Sequence, residues 1–388
     1  TKNRYATLFP LVESLKKICL GNQELELVVH DNSEDNNDAI VFFESINCPN
    51  IKYVHSAEWL SVGDNSDKAI LLSSGEFVSF IGDDDAIVPE IIDIARWMKK
   101  YNIDSCGCNY SLYRWPTALI KGNNSFEYKA SNEVYREIDC KKKVKNIMKN
   151  GIQSKKDLPG VYHGLVKRAI LDKIFEKTGT FFPGPSPDMA NAFALSMFVH
   201  RHVMINIPFI IDGYSKASTG YLTEAKKHIG KLEDQPFLPK DTIEKWIEVI
   251  PKIWLPNTIW PESAIQALKR CGKIDIVNDF NYTAMYIKIS AIYPQCKSIC
   301  KEYQKKYTTA GKYILTYLMV ILKYFKNRLM NYKEIFSKHT IFVKKEMSIS
   351  EAITMSSNII RKKNMIEILE KFIERKRQDR RMNEEFKC

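Results

Sequence analysis

The chain has 388 residues, 45% of them apolar and 27% charged, which is a globular composition and excludes an intrinsically disordered one. That length allows one large domain with a smaller one, or two ordinary domains. The formal net charge is +12, but residues 301–388 carry 21 Lys/Arg against 10 Asp/Glu, so the basic character belongs to the C-terminal segment and points there to an anionic partner, nucleic acid or an acidic membrane surface.

The nine cysteines are scattered, without the paired CxxC spacing of a zinc site, and their odd number argues for a reducing compartment rather than a disulfide framework. Cys106 and Cys108, in Cys-Gly-Cys, read as buried thiols. The sequence reads as lacking a secretory leader before Leu8, and as beginning after the strand that would open an α/β domain.

In chain order, TKNRYATLFPLVESLKKI predicts a loop entering an amphipathic helix, with Leu8, Leu11, Val12 and Leu15 on one face. ELELVVHD (24–31) predicts a strand ending at Asp31, IKYVHS (51–56) a short strand, and NSDKAILLSSGE a helix with a Ser-Gly stop. FVSFIGDDD predicts a strand, VPEIIDIARWMKKY a helix with Pro89 and Glu90 at its start, and DSCGCNYSLYRW (104–115) another strand. The polar stretch 115–160 predicts loops and one helix over Lys141–Lys149. GVYHGLVKRAILDKIFE (160–176) gives a turn, a strand and a helix. FFPGPSPDMANAFALSMFVH (181–200) is a Pro/Gly-rich loop and then a helix with Asp188 in its first turn, and HVMINIPFIIDGYS (202–215) is a further strand. Beyond about 235 the pattern is helical and Lys-rich to the end, with no internal repeat. Strand–helix alternation with carboxylates at strand ends predicts an open α/β sheet that takes ligands at its carboxyl edge.

The stretch GEFVSFIGDDDAIVPE sets Asp83, Asp84 and Asp85 at the end of an apolar run. Mutual repulsion and desolvation oppose three like charges there unless a cation or polar ligand takes up the charge.

The order TKNR, VVHDNSEDN, SSGEFVSFIGDDDAIVPE and then PGPSPD resembles the family-2 glycosyltransferases of the GT-A fold, over roughly residues 1–215. The resemblance implies a Rossmann-like open α/β sheet flanked by helices over 1–235, followed by a basic, mainly α-helical region over 236–388. It implies an inverting transfer of a hexosyl or N-acetylhexosaminyl group from a nucleotide-diphospho-sugar, UDP-linked by default, to a hydroxyl of a glycan acceptor, including a lipid-linked one. Thr1, Asn3 and Arg4 fall on the family's first loop, and Asp31, Ser33 and Asp35 on its Asp-x-Ser-x-Asp segment, with Asp31 expected at the base or ribose. Asp83 and Asp85 fall on its Asp-x-Asp motif. Asp83 is then expected near the ribose and, with Asp85, among the ligands of Mn²⁺ or Mg²⁺, and Asp84 beside the donor. Asp188 falls where the family keeps its catalytic base. Tyr162, His163 and Trp115, with Arg114, are expected at the acceptor.

Several positions depart from the family pattern. The acid preceding the base is Pro187, and the Arg-Asn ahead of Gly-Glu reads Ser66-Asp67, leaving Asp67 on the donor side and Lys68 as a stand-in for the arginine. Without a Gln-x-x-Arg-Trp motif, the resemblance favours single-sugar transfer over polymerisation. These departures keep a second reading open, a non-catalytic GT-A scaffold that binds nucleotide or carbohydrate.

In the C-terminal third, KYILTYLMVILKYF (312–325) is too short for a membrane span, which needs about 20 apolar residues. It reads as a mixture of a buried helix and an interfacial helix with its lysines toward lipid headgroups. RKKNMIEILEKFIERKRQDRR (361–381) predicts an amphipathic basic helix through Met365, Ile366, Leu369, Phe372 and Ile373, packed on the body or self-associating. The tail lacks the Gly and aromatic interleaving of nucleic-acid stacking platforms, which argues against nucleic acid. The location expected is cytoplasmic, peripheral on the inner face of the cell membrane.

Overall fold

The structure is a computed structural model that describes residues 1–117, 124–129, 134–216, 229–336 and 341–385. The first half runs α1 (Tyr5–Leu20), β1 (Leu27–Asp31), α2 (Asn37–Ile46), β2 (Ile51–His55), α3 (Val62–Leu71), β3 (Phe77–Val78), β4 (Ala86–Ile87), α4 (Ile91–Tyr101), β5 (Ser105–Cys108), β6 (Ser111–Arg114), β7 (Ser125–Lys129), β8 (Tyr135–Ile138), α5 (Cys140–Met148), β9 (Gly164–Lys167), α6 (Arg168–Thr178), α7 (Pro187–Phe198), β10 (His202–Ile205) and β11 (Ile210–Tyr214). Then follow α8 (Pro256–Arg270), α9 (Ile274–Val277), α10 (Tyr282–Ile292), α11 (Lys297–Tyr307), α12 (Ala310–Phe336), β12 (Ile341–Lys345), α13 (Ile349–Lys362) and α14 (Met365–Glu385). This is the α/β architecture with a largely helical C-terminal part that the sequence predicts.

The strands are grouped differently from one open sheet. β1 and β2 form a parallel pair, and the others form two five-stranded sheets, ordered β3-β9-β5-β10-β8 and β12-β7-β6-β11-β4. The predicted strands 77–85, 104–115 and 202–215 each break in two and pass from one sheet to the other, β3 to β4, β5 to β6 and β10 to β11. In the first of these the break is the aspartate turn itself, since Asp85 folds back to accept from Gly82 N at 2.7 Å. A carboxylate engaged with its own turn in this way ends a ladder.

Local chemistry fixes the ends of several elements. Ser61 with Asp64, and Ser348 with Glu351, form capping boxes at α3 and α13. Asn47 and Asn102 close α2 and α4 in the left-handed conformation. The predicted face of α1 is buried at Leu8, Leu11, Val12 and Leu15, and Cys106 and Cys108 are buried thiols.

The C-terminal third departs from an all-helical pattern. β12 pairs antiparallel with β7, Phe342 opposite Tyr128 and Val343 opposite Glu127. α13 and α14 then pack into the same core as α1 and α4, where Ile349, Ile353, Leu369 and Ile373 join Leu11, Leu15, Ile91 and Trp97. The amphipathic face predicted in α14 is therefore spent on the body of the protein. Glu90, just after the aspartate turn, is 3% exposed and accepts from Ser357 Oγ at 2.7 Å and Arg361 Nε at 2.6 Å. The helices between, α8 and α10, pack with α5, α6 and α7 in a second core through Ile259, Ile265, Met285 and Tyr286.

The 312–325 run is not buried. In α12 Ile314, Leu318, Leu322 and Phe325 are 60%, 53%, 69% and 57% exposed. No helix among the described residues is long and apolar enough to cross a membrane.

Candidate active site

β1 delivers Asp31 at its C-terminal end, fully buried. Its Oδ1 accepts from Ser33 N at 2.8 Å and Ser33 Oγ at 2.5 Å, and its Oδ2 from Tyr5 OH at 2.6 Å and Tyr53 OH at 2.8 Å. Burial alone would raise its pKa, but the bonds from Ser33, Tyr5 and Tyr53 outweigh it and hold the carboxyl below its usual range. Four donors occupy both oxygens, so Asp31 organises this loop from within. Ser33 Oγ also accepts from Asn3 N at 2.7 Å, and Asn32 N donates to Thr1 O at 3.0 Å. Asp35 accepts from Asn37 N at 3.0 Å, at the start of α2.

Asp83 joins this group from the aspartate turn. It accepts from Thr1 Oγ1 at 2.6 Å and pairs with Arg4 Nη1 at 3.2 Å. Burial works against the Arg4 charge, but Asp83 and Asp84 raise the guanidinium's pKa on balance. Thr1, Asn3, Arg4, Asp31, Ser33 and Asp83 thus form one bonded cluster between the end of β1 and the aspartate turn, while Asp67 and Asp84, expected on the same donor side, lie elsewhere.

The other two aspartates face elsewhere. Asp84 is 4% exposed, accepts from Ser215 Oγ at 2.6 Å, and is pushed up to about 7 by burial and by Asp85 and Asp83. Trp115, expected at the acceptor, is buried instead, its Nε1 donating to the Asp84 carbonyl at 2.8 Å, so it supports the turn from beneath. Arg114 pairs with Glu127 at 3.2 Å.

Asp85 is 1% exposed. Its Oδ1 accepts from Gly213 N at 2.8 Å, and its Oδ2 lies 3.0 Å from Tyr162 OH and 2.8 Å from His163 Nε2. Asp212 Oδ1 stands 3.9 Å from the same imidazole nitrogen. Burial raises the Asp85 pKa, yet the neighbouring imidazole and the turn's N–H groups outweigh it and hold the carboxylate low. Conversely, burial disfavours the imidazolium of His163, but Asp85 and Asp212 raise its pKa above the ordinary value. His163 adopts φ 61°, a left-handed conformation uncommon outside glycine, and its ring lies between Tyr162 (centroids 4.0 Å apart, stacked) and Tyr110 (5.5 Å).

Asp85, His163 and Asp212 each bring one ligand atom within 4.8 Å of the others. Two carboxylates with one imidazole suit a divalent cation of the Mn²⁺ or Mg²⁺ kind. Asp83, expected among the metal ligands, lies outside this group, on the Thr1–Arg4 side.

Asp188 sits in the first turn of α7, with Ser186 Oγ donating to its Oδ1 at 2.7 Å and Lys155 Nζ 3.1 Å from its Oδ2. Burial opposes its ionisation, but Lys155 and Ser186 bring the pKa below the usual carboxylate range. Lys155 Nζ also lies 5.6 Å from the Tyr162 ring centroid, which links the expected base to the Asp85 cluster. Asp67, expected on the donor side, accepts from Phe181 N at 2.9 Å and is pushed up to about 6 by burial, so it ties α3 to the segment before α7. Lys68 pairs with Glu58.

The residues missed in the sequence are Lys155, Asp212, Gly213 and Ser215. The last three lie in IIDGYS, an apolar run ending in a carboxylate as the aspartate triplet does.

Residues 1–174 match the family model described as glycosyl transferase family 2. No curated protein matches the chain. Among solved structures, S. aureus TarS 1–349 in complex with UDP-GlcNAc is similar at 16% identity and a TM-score of 0.45, covering 84% of this chain and 90% of that one. The same TarS segment in complex with UDP gives 16% identity and a TM-score of 0.40 over the same shares. A longer S. aureus TarS chain is similar at 18% identity and a TM-score of 0.39 over 55% of this chain, which spans about a third (35%) of that one.

Proposed function

We propose that the chain is an inverting glycosyltransferase that moves a sugar from a nucleotide-diphospho-sugar, UDP-linked in the first instance, to a hydroxyl of a glycan acceptor, including a lipid-linked one. The observation that carries this reading is the convergence of Asp85, His163 and Asp212 beside Tyr162, with Lys155 joining them to Asp188. Asp85, His163 and Asp212 would hold a divalent cation, Mn²⁺ or Mg²⁺, which when bound supplies positive charge for the departing diphosphate. Thr1, Asn3, Arg4, Ser33 and Asp83 would then face the nucleoside, within a loop that Asp31 holds in shape.

Asp188 is assigned the base. Its carboxylate is ionised at neutral pH and would accept the proton of the acceptor hydroxyl. That oxygen bonds to the anomeric carbon as the bond from this carbon to the diphosphate oxygen breaks, and the electron pair leaves with the nucleoside diphosphate. His163, stacked on Tyr162 and 2.8 Å from Asp85, would hold the Asp85 carboxylate in place. Residues 1–235 are assigned to transfer and 236–388 to a basic region, of which β12, α13 and α14 return to the core of the first half while α12 stays outside it and would work at the cytoplasmic face of a membrane.

The test is a thermal-shift panel of UDP, GDP, dTDP and CMP with and without Mn²⁺, beside Asp85→Asn. A metal-dependent rise with one diphosphate, lost in the variant, names the donor class. No rise with any nucleotide overturns the transferase reading in favour of a non-catalytic scaffold.

A further inference from the structure

α12 turns an apolar surface to solvent. Ile314, Leu318, Leu322 and Phe325 recur at helical spacing along one face, 53% to 69% exposed, and Leu315 and Met319 stand beside them at 61% and 49%. Thr316, on the opposite side, is 3% exposed, and Tyr313 and Val320 beside it are half-buried, so the helix rests on the body by that side and presents the other to solvent. Tyr317 and Tyr324, 45% and 60% exposed, border the strip with rings that suit a lipid–water boundary. An exposed apolar surface of this kind marks an interaction site.

The charges around the strip select the occupant. From Lys297 to Lys326 the sequence holds seven lysines and a single acid, Glu302. Lys312 is anchored to α10, its Nζ 3.0 Å from Tyr282 OH and 4.2 Å from that ring's centroid. Lys323 is close enough to Lys143, Lys326 and Lys288 for their charges to act on one another. A second copy meeting this face through its own would bring lysines against lysines with almost no acid to answer them. A layer of anionic headgroups supplies the missing sign. The helix is too short in apolar residues to cross a bilayer, and its broad apolar arc edged by lysines is the pattern of a helix lying in the interface.

We propose that the exposed face of α12 docks the protein on an anionic lipid surface, with Ile314, Leu318, Leu322 and Phe325 entering the acyl boundary and Lys323 and Lys326 reaching the headgroups. This assigns the lipid contact to one helix, and it does not depend on the transferase reading.

The test uses the full chain with vesicles of phosphatidylglycerol and phosphatidylcholine in equal parts, against phosphatidylcholine alone. The protein is expected to sediment with the anionic vesicles only and to be released by high salt. Leu318→Glu/Leu322→Glu and Lys323→Glu/Lys326→Glu should each weaken binding by about tenfold or more, with melting temperatures close to the parent because these side chains lie on the surface. Failure to sediment with anionic vesicles, or binding by both variants as tight as the parent's, overturns the proposal. An oligomer that Leu318→Glu/Leu322→Glu disperses, with vesicles ignored, gives the face to a second copy instead.

Discussion

A Cβ placed on Gly213 would lie 1.7 Å from the carbonyl oxygen of Asp84 and 3.1 Å from the nitrogen of Asp85. β11 therefore crosses the aspartate turn at a distance that no side chain permits, and Gly213 N donates to Asp85 Oδ1 from that position. The glycine is required here by close approach of two backbones, one of the two services this residue gives.

Gly213→Ala should push β11 off the turn and dismantle the Asp85–His163–Asp212 group. The expected cost is about 1–3 kcal/mol of stability, typical of overpacking, together with loss of nucleotide binding. Denaturant melts and UDP titration check both. A variant of parental stability that still binds UDP would show that the turn can give way.

The Asp85–His163 pair should leave a signature in stability against pH when divalent metal is removed by a chelator. His163 is raised from 6.5, so its contribution is complete below 6.5 and is lost as the pH climbs through the raised value. Asp85 is lowered from 3.8, so its contribution is complete above 3.8 and is lost as the pH falls through the lowered value. The melting-temperature difference between the parent and His163→Gln should be largest between those two limits and shrink toward alkaline pH. A difference that grows with pH would mean the imidazole is neutral in the fold.

Asp188→Asn should reduce kcat by about 10²–10⁴-fold while nucleotide binding stays near parental. Lys155→Met removes the cation that holds Asp188 low, so the acidic limb of the kcat/KM profile should move to higher pH. If Lys155→Met instead raises KM for the donor with the limb unmoved, Lys155 belongs to donor binding and does not tune Asp188.

Ile353 in α13 is 5% exposed and sits in the core of the N-terminal half. Ile353→Ala should cost about 2–5 kcal/mol, a core-sized loss from a position far along the chain. Ser357→Ala should cost about 1–2 kcal/mol by leaving the buried Glu90 carboxylate with one bond fewer. A single cooperative transition in which both variants shift the whole melt is expected. A separate early transition for the C-terminal helices would contradict it.

Much of the site was legible in the sequence because its signals are local. Three aspartates closing an apolar run are anomalous within a few residues, and Asp31 likewise closes the apolar run of ELELVVHD. Partners brought by topology were not legible. His163 reaches Asp85 across 78 positions and Gly213 reaches it across 128. Tyr162-His163 read as an acceptor pair because nothing nearby marks an imidazole as the partner of a distant carboxylate. Trp115 misled in the same way, since an indole at a strand end looks available until Asp84 is found above it.

The sequence by itself determined the alternation of strands and helices, the buried face of α1, the packed face of α14 and the carboxylates at strand ends, because hydrophobic period and charge clustering act over one or two turns of chain. Only the tertiary structure decided which aspartate meets which partner, that the chain breaks between two sheets at the aspartate turn, and that β12, α13 and α14 return to the first half. It also decided that the apolar run of α12 faces outward. The physical reason is the same in each case. An apolar or charged stretch states that a partner is needed, and only packing across long separations in the chain selects that partner.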